Sequence, residues 1–287
     1  MSFEQSHQTS LKRRRGSDSP PPAERAPKKR PGKKARSQLS PEEDWARDWI
    51  HKLGFELTTR KNAYHPNALA WQHLSSPEAG RLDLFTDGSG YNRDTGVAGW
   101  AVVRADGQKR ELVHFRSGTF AKADRPAGAK PGNVSPFEAE FMAVVGGIEQ
   151  VCEQVVALRS EGRPAWTHVV IFSDSPSILG SIGRYNEKSY RAVDTMHGEW
   201  LNVRLLRVGE RLRDLGVHCK LCFVKGHRGV PGNEAADRVA KAQAGYRTWD
   251  EIAAMKFERQ GYGSIKDLPF PTASSVAPPE ETASSSG

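Results

Sequence analysis

The run Val169-Val170-Ile171-Phe172-Ser173 carries no polar alternation before it meets Asp174. A strand with one face in water alternates apolar and polar residues, so an unbroken apolar run implies cover on both faces. That requires helices on each side of a sheet and makes the chain α/β. Helical cover is legible in Ser135-Pro136-Phe137-Glu138, where Ser135 caps, Pro136 takes the first helical position and Glu138 closes a capping box. The helix it opens is expected to run from Pro136 towards Ser160. Gly146-Gly147 inside it cost about 1 kcal/mol each relative to alanine, which predicts close packing against a neighbouring backbone.

Other elements arrange themselves around that pair. Leu82-Asp83-Leu84-Phe85-Thr86-Asp87 alternates and then breaks at Gly88-Ser89-Gly90, so Asp87 falls where a strand meets a turn. Two further strands are expected over 97–103 and near 110–116, followed by a loop over 117–134 long enough to be functional or mobile. The 169–173 strand is expected to be central and parallel to the one ending at Asp87, joined to it by a right-handed crossover through the Pro136 helix. Residues 177–216 read as helical, with a stop at Gly216. Their cations, Arg184, Lys188, Arg191 and Arg204, are interleaved with Glu187, Asp194 and Glu199, as on a solvated face rather than a basic lobe. A last strand over 217–225 leads into Lys225-Gly-His-Arg-Gly-Val-Pro-Gly-Asn-Glu-Ala-Ala-Asp237. This stretch reads as a mobile, glycine-rich loop carrying His227, then a helix over 234–242 with Asn233 as cap and Glu234 and Asp237 in its first turn.

These strings in this order resemble type 1 ribonuclease H. The resemblance rests on Thr86-Asp87-Gly88-Ser89 ending a strand, Ala139-Glu140-x-x-Ala143 on a helix, Ser173-Asp174-Ser175 ending a strand, and Gly226-His227 through Asn233-Glu234 to Asp237. Each string alone also occurs as ordinary turn chemistry; all four in order are specific. The likeness covers roughly residues 81–246. It implies a ribonuclease H-like mixed five-stranded sheet, with three antiparallel strands and two further parallel ones, flanked by helices.

The resemblance also implies chemistry. Asp87, Glu140, Asp174 and Asp237 would hold divalent metal, with Asp87 bridging two ions, and His227 would assist proton transfer or product departure. Four carboxylates in one cleft repel unless cations hold them, and hard oxygen donors suit Mg2+, with Mn2+ as a substitute. The reaction implied is endonucleolytic hydrolysis of the RNA strand of RNA/DNA hybrids, leaving 5′-phosphate and 3′-hydroxyl ends. Gly88, Ser89, Ser135, Ser175 and Asn233 are the candidate substrate contacts. Pro136 and Phe137 stand where the well-known cellular enzymes carry amides, and Ser-x-Phe-x-Ala-Glu instead looks like the ribonuclease H modules of retroelements. A non-catalytic nucleic-acid-binding module and a structure-specific deoxyribonuclease are the competing readings.

Charge divides the chain. Residues 11–36 hold 11 Lys or Arg against Asp18 and Glu24, a net charge of +9. Glu4 is the one charge before them, so against the chain's total of +8 the remaining 251 residues are neutral. Residues 1–39 are thus expected to form a disordered basic tail. Its clusters Lys12-Arg13-Arg14-Arg15 and Lys28-Lys29-Arg30 with Lys33-Lys34 resemble a bipartite nuclear import signal, which implies an import receptor and a nuclear location, with the cytoplasm as the alternative. The same clusters could bind nucleic acid without regard to sequence. Residues 40–80 read as a short helix ending near Gly54, with Trp45, Trp49 and Leu53 on one face, then a polar connector. Residues 247–287 read as an extension, largely disordered from about 271.

No long apolar stretch or leader is apparent, which predicts a soluble, intracellular monomer with no membrane partner. Cys152, Cys219 and Cys222 cannot all pair. Cys219 and Cys222 have half a zinc-knuckle spacing, but in a strand they would point to opposite faces.

Overall fold

A computed structural model describes residues 53–58, 65–125, 133–186 and 199–269. The basic tail and the Ser40–Trp49 segment lie outside the described residues. All described residues belong to one compact unit, Leu39–Gly287. In chain order its elements are β1 (Glu56–Thr58), α1 (Pro66–Ser75), β2 (Arg81–Ser89), β3 (Val97–Asp106), β4 (Glu111–Ala121) and α2 (Pro136–Ser160). There follow β5 (His168–Ser173), α3 (Pro176–Asn186), α4 (Glu199–Asp214), β6 (His218–Phe223), α5 (Pro231–Gln243), α6 (Trp249–Ala253) and β7 (Ile265–Lys266).

The strands form one mixed sheet in the order β1-β6-β5-β2-β3-β4-β7. β1, β6, β5 and β2 run parallel in adjacent pairs, while β2, β3 and β4 form an antiparallel meander. The five expected strands occupy the centre. Two short ones, β1 and β7, extend the sheet to seven strands among the described residues, and neither three nor two residues leave a hydrophobic period to read. β5 is central, parallel to β2, and buried along Val169–Ser173, as its unbroken apolar run requires. Register decides the rest: Thr86 pairs with Ser173, so Asp87 lies beside Asp174, which follows the end of β5. β2 itself runs on through Ser89, so Asp87 sits inside the strand, paired with Ala101, rather than at the turn expected for it.

Each face of the sheet has its own core. On one, Leu84, Trp100 and Ile171 meet Phe141, Val144, Ile148 and Val155 of α2 and Leu201 and Leu205 of α4. On the other, Phe85, Phe172 and Cys222 meet Ala70 and Leu74 of α1, Ala236 and Val239 of α5, and Ile252 of α6. Cys219 and Cys222 fall on these opposite faces, and all three cysteines are buried and free.

Several expectations need correction. The supposed polar connector holds helix α1, whose buried residues are Ala70 and Leu74 alone; so thin an apolar stripe hid it. The loop expected from Ser117 starts only after Ala121, because β4 continues past Arg116 beside β3. Helix α5 starts at Pro231 with Val230 as cap, so Asn233 lies inside the helix. Proline at the first position needs no donor, which lets the helix begin earlier than a cap at Asn233 would allow. Gly146 does sit in close contact, but with an indole: a Cβ there would stand 2.5 Å from the Trp100 ring. Finally, α2 is long and apolar enough to cross a membrane by length and composition, contrary to the expectation that no such stretch exists. Most of its apolar window is buried between sheet and α4, as suits a core helix.

Candidate active site

Three side chains converge where β2 and β5 end and α2 begins. Ligand oxygens of Asp87, Glu140 and Asp174 all lie within 4.8 Å of one another. Asp87 and Asp174 owe this to strand register. Glu140 owes it to the packing of α2 on β2, which is so close that a Cβ on Gly88 would stand 2.2 Å from the Glu140 amide nitrogen. Any side chain at Gly88 would push the helix off the strand. The capping box at Ser135 fixes where α2 starts: Ser135 Oγ accepts from the Glu138 amide at 3.3 Å, and Glu138 Oε2 accepts from the Ser135 amide at 2.8 Å.

Electrostatically the cluster is under-compensated. Burial pushes the Asp87 carboxyl well above the ordinary range, and the charges of Asp174 and Asp237 add to this. Glu140 is raised in the same way, by burial first and Asp87 second. Asp174 is also raised by burial, opposed by the Asn233 amide and by His227. Glu140 Oε2 is buried without a partner among the described residues. A buried carboxylate oxygen without a partner is costly. Hard oxygen donors, mutual repulsion and an orphaned oxygen together fit a divalent cation held by Asp87, Glu140 and Asp174.

The other expected site residues fall into place unevenly. Asp237 stands outside the three-carboxylate group and pairs with Lys241 at 2.8 Å, although it is near enough to act on Asp87 and Asp174. Asn233 projects from α5 and donates to Asp174 Oδ2 at 3.3 Å, with its own Oδ1 buried and unpartnered among the described residues. Gly88 spends its amide on Asp87 Oδ1 at 2.7 Å. Ser135 donates its hydroxyl to Glu138 Oε2 at 2.8 Å, so both its hydrogen-bonding capacities serve the cap. Ser89 and Ser175 are partly exposed just beyond Asp87 and Asp174.

His227 adopts a left-handed backbone with φ of 52°. Its loop, expected to be mobile, is tied down: Glu234 Oε1 accepts from the Gly229 amide at 2.9 Å, and Asn67 Oδ1 accepts from the Lys225 amide at 2.8 Å. Asn67 was invisible in the sequence, since an asparagine after Pro66 gives no clue to a partner 158 residues away. Arg125 was also missed. It donates through Nε to Glu138 Oε1 at 2.9 Å and through Nη2 to Oε2, inside the protein at the start of α2.

A family model described as RNase H matches residues 80–245, more than half of the chain. The chain belongs to the RNase H family. The matched RNase H segment contains all four carboxylates and His227 but stops short of α1 and of the chain beyond α5. Among solved structures, RNase H1 from the archaeon Halobacterium salinarum is similar at 18% identity, covering 58% of this chain and 99% of that one with a TM-score of 0.32. The N-terminal RNase H domain of a Mycobacterium tuberculosis protein, solved as a fusion with maltose-binding protein, shares 16% identity over 57% of this chain and 95% of its own, with a TM-score of 0.32. A foamy viral protease-reverse transcriptase in complex with RNA/DNA hybrid shares 13% over 58% of this chain and 20% of its own, with a TM-score of 0.37. No curated protein matches.

Proposed function

We propose that this RNase H-family chain is an endonuclease that hydrolyses the RNA strand of RNA/DNA hybrids by in-line phosphodiester cleavage. The observation that carries the reading is the convergence of Asp87, Glu140 and Asp174, with the buried Glu140 Oε2 lacking a partner among the described residues. These three residues, with Asp237 beside them, would hold two Mg2+ ions, or Mn2+ in their place. Such ions, when bound, polarise the scissile phosphate, favour attack by water on one side and stabilise the leaving 3′-oxygen on the other.

The protein's own part is to hold this geometry. Asn233 orients Asp174 through its amide, and Gly88 orients Asp87 through its backbone N–H. His227 stands close enough to Asp174 to act on its charge and would accept or pass on a proton as products leave. The P–O3′ bond breaks, water supplies the new P–O bond, and the products carry 5′-phosphate and 3′-hydroxyl ends. Ser89 and Ser175, partly exposed at the strand ends, would meet ribose 2′-hydroxyls. The basic tail would add sequence-independent affinity through phosphate neutralisation and would serve nuclear import through an import receptor.

The test is a gel assay on end-labelled hybrid, RNA duplex and DNA duplex, with and without Mg2+. Mg2+-dependent cutting of the hybrid's RNA strand alone is the expected result. Comparable cutting of DNA duplex would leave only a general nuclease, and binding without cutting would support the non-catalytic module.

A further inference from the structure

We propose that Asn67, from the helix that precedes the RNase H segment, is a positioning residue for His227. This rests on the reading of His227 as a participant in cleavage. The Asn67 side chain accepts from the Lys225 amide at 2.8 Å and donates towards the carbonyls of Lys225 and Arg228 at 3.5 Å each. It therefore bridges both sides of the Gly226-His227 turn. The 2.8 Å bond is the strong one, and the two longer ones complete the bracket.

The turn needs such a bracket. His227 holds a left-handed backbone, which a non-glycine residue keeps only where its surroundings over-determine it. On the far side Glu234 takes the Gly229 amide through Oε1, and its Oε2 accepts from Gln260 Nε2 at 3.3 Å. Asn67 and Gln260 both lie outside residues 80–245. Segments on either side of the RNase H match thus reach back to one loop.

Helix α1 is seated firmly enough to serve as the fixed side. Ala70 and Leu74 are buried in the core on that face of the sheet. Arg81 Nη2 donates to the carbonyls of His73 and Ser76, at 2.8 Å each, and so ties the C-terminal end of α1. Gly107, in the β3–β4 turn, lies directly against the Leu74 backbone, where any Cβ would collide with the carbonyl oxygen.

The experiment uses the full chain with Mg2+ and reads two quantities: amide hydrogen exchange at Lys225, and kcat and KM on a labelled hybrid. Asn67→Ala is expected to speed Lys225 exchange and lower kcat, each about three- to tenfold, the size of one net hydrogen bond, with KM within about twofold. Asn67→Asp keeps the acceptor for the Lys225 N–H and is expected to restore its protection. Gln72→Ala, on the exposed side of α1, is expected to change neither quantity. Unchanged exchange or unchanged kcat in Asn67→Ala, or equal losses in Gln72→Ala, would overturn the proposal. Should the unmodified chain leave hybrid uncut, the functional reading fails, and the exchange measurement alone upholds or overturns the bracket.

Discussion

Gly226 lies directly against the Asp174 carboxylate, so closely that a Cβ built on it would stand 2.2 Å from Oδ2. The backbone that leads into His227 therefore also forms one wall around a candidate metal ligand. Gly226→Ala is expected to turn Asp174 away and reduce cleavage by roughly 10- to 100-fold, the scale of an ångström-sized misplacement. Asp174→Asn keeps the shape, removes the charge and is expected to abolish Mg2+-dependent cleavage with little loss of stability. Near-normal turnover in Asp174→Asn would remove the metal-ligand role.

The three carboxylates predict a trade between stability and function. Burial and mutual repulsion raise Asp87 and Glu140, so without metal the folded state holds protons that the unfolded chain has lost. Stability contributed by this cluster therefore falls as pH rises from the ordinary carboxylate range through the raised values. Asp87→Asn is expected to stabilise the metal-free protein by about 0.5–2 kcal/mol while losing both cleavage and thermal stabilisation by Mg2+. Melting curves with and without Mg2+ check both; an Asp87→Asn variant that still gains Tm with Mg2+ at the same concentrations would refute the site.

The ion pair of Arg125 with Glu138 is almost wholly buried, with side-chain exposures of 5% and 1%. Breaking a buried pair leaves an uncompensated charge, so Arg125→Ala is expected to cost about 3–5 kcal/mol in urea unfolding. Because Glu138 also closes the cap of α2, the loss is expected to loosen the first turn and lower Mg2+ affinity through Glu140. A cost below about 1 kcal/mol would mean that the pair is solvated in solution.

His114 gives an acid-side prediction. Burial lowers its pKa to about 4, against an opposing pull from Asp267. The unfolded chain binds this proton near pH 6.5 and the folded one does not, so stability is lost as pH falls from about 6.5 towards 4. His114→Gln is expected to flatten that loss, by at most about 3 kcal/mol, in Tm measured across the window. Identical pH profiles for the two proteins would show that His114 is solvated.

The sequence by itself determined the central sheet, its helical cover and which residues could carry metal chemistry. It did so because periodicity, capping and turn chemistry are local: Val169–Ser173 cannot be half-exposed, and Ser135-Pro136-Phe137-Glu138 can scarcely avoid starting a helix. The resemblance placed Asp87, Glu140 and Asp174 together, and the physical reasons they meet are the register of β2 against β5 for the two aspartates and the close packing of α2 on Gly88 for Glu140. What only tertiary structure decided was long-range and weakly patterned. Helix α1 buries two small stretches of side chain, too few for a readable stripe, and it is stabilised by the sheet rather than by its own propensity. Asn233 reads as a cap by local rules, yet it lies inside α5 because Pro231 starts the helix early and Asp174 offers its amide a partner. Arg125 and Asn67 act on residues 13 and 158 positions away, through contacts that exist only once the chain has folded.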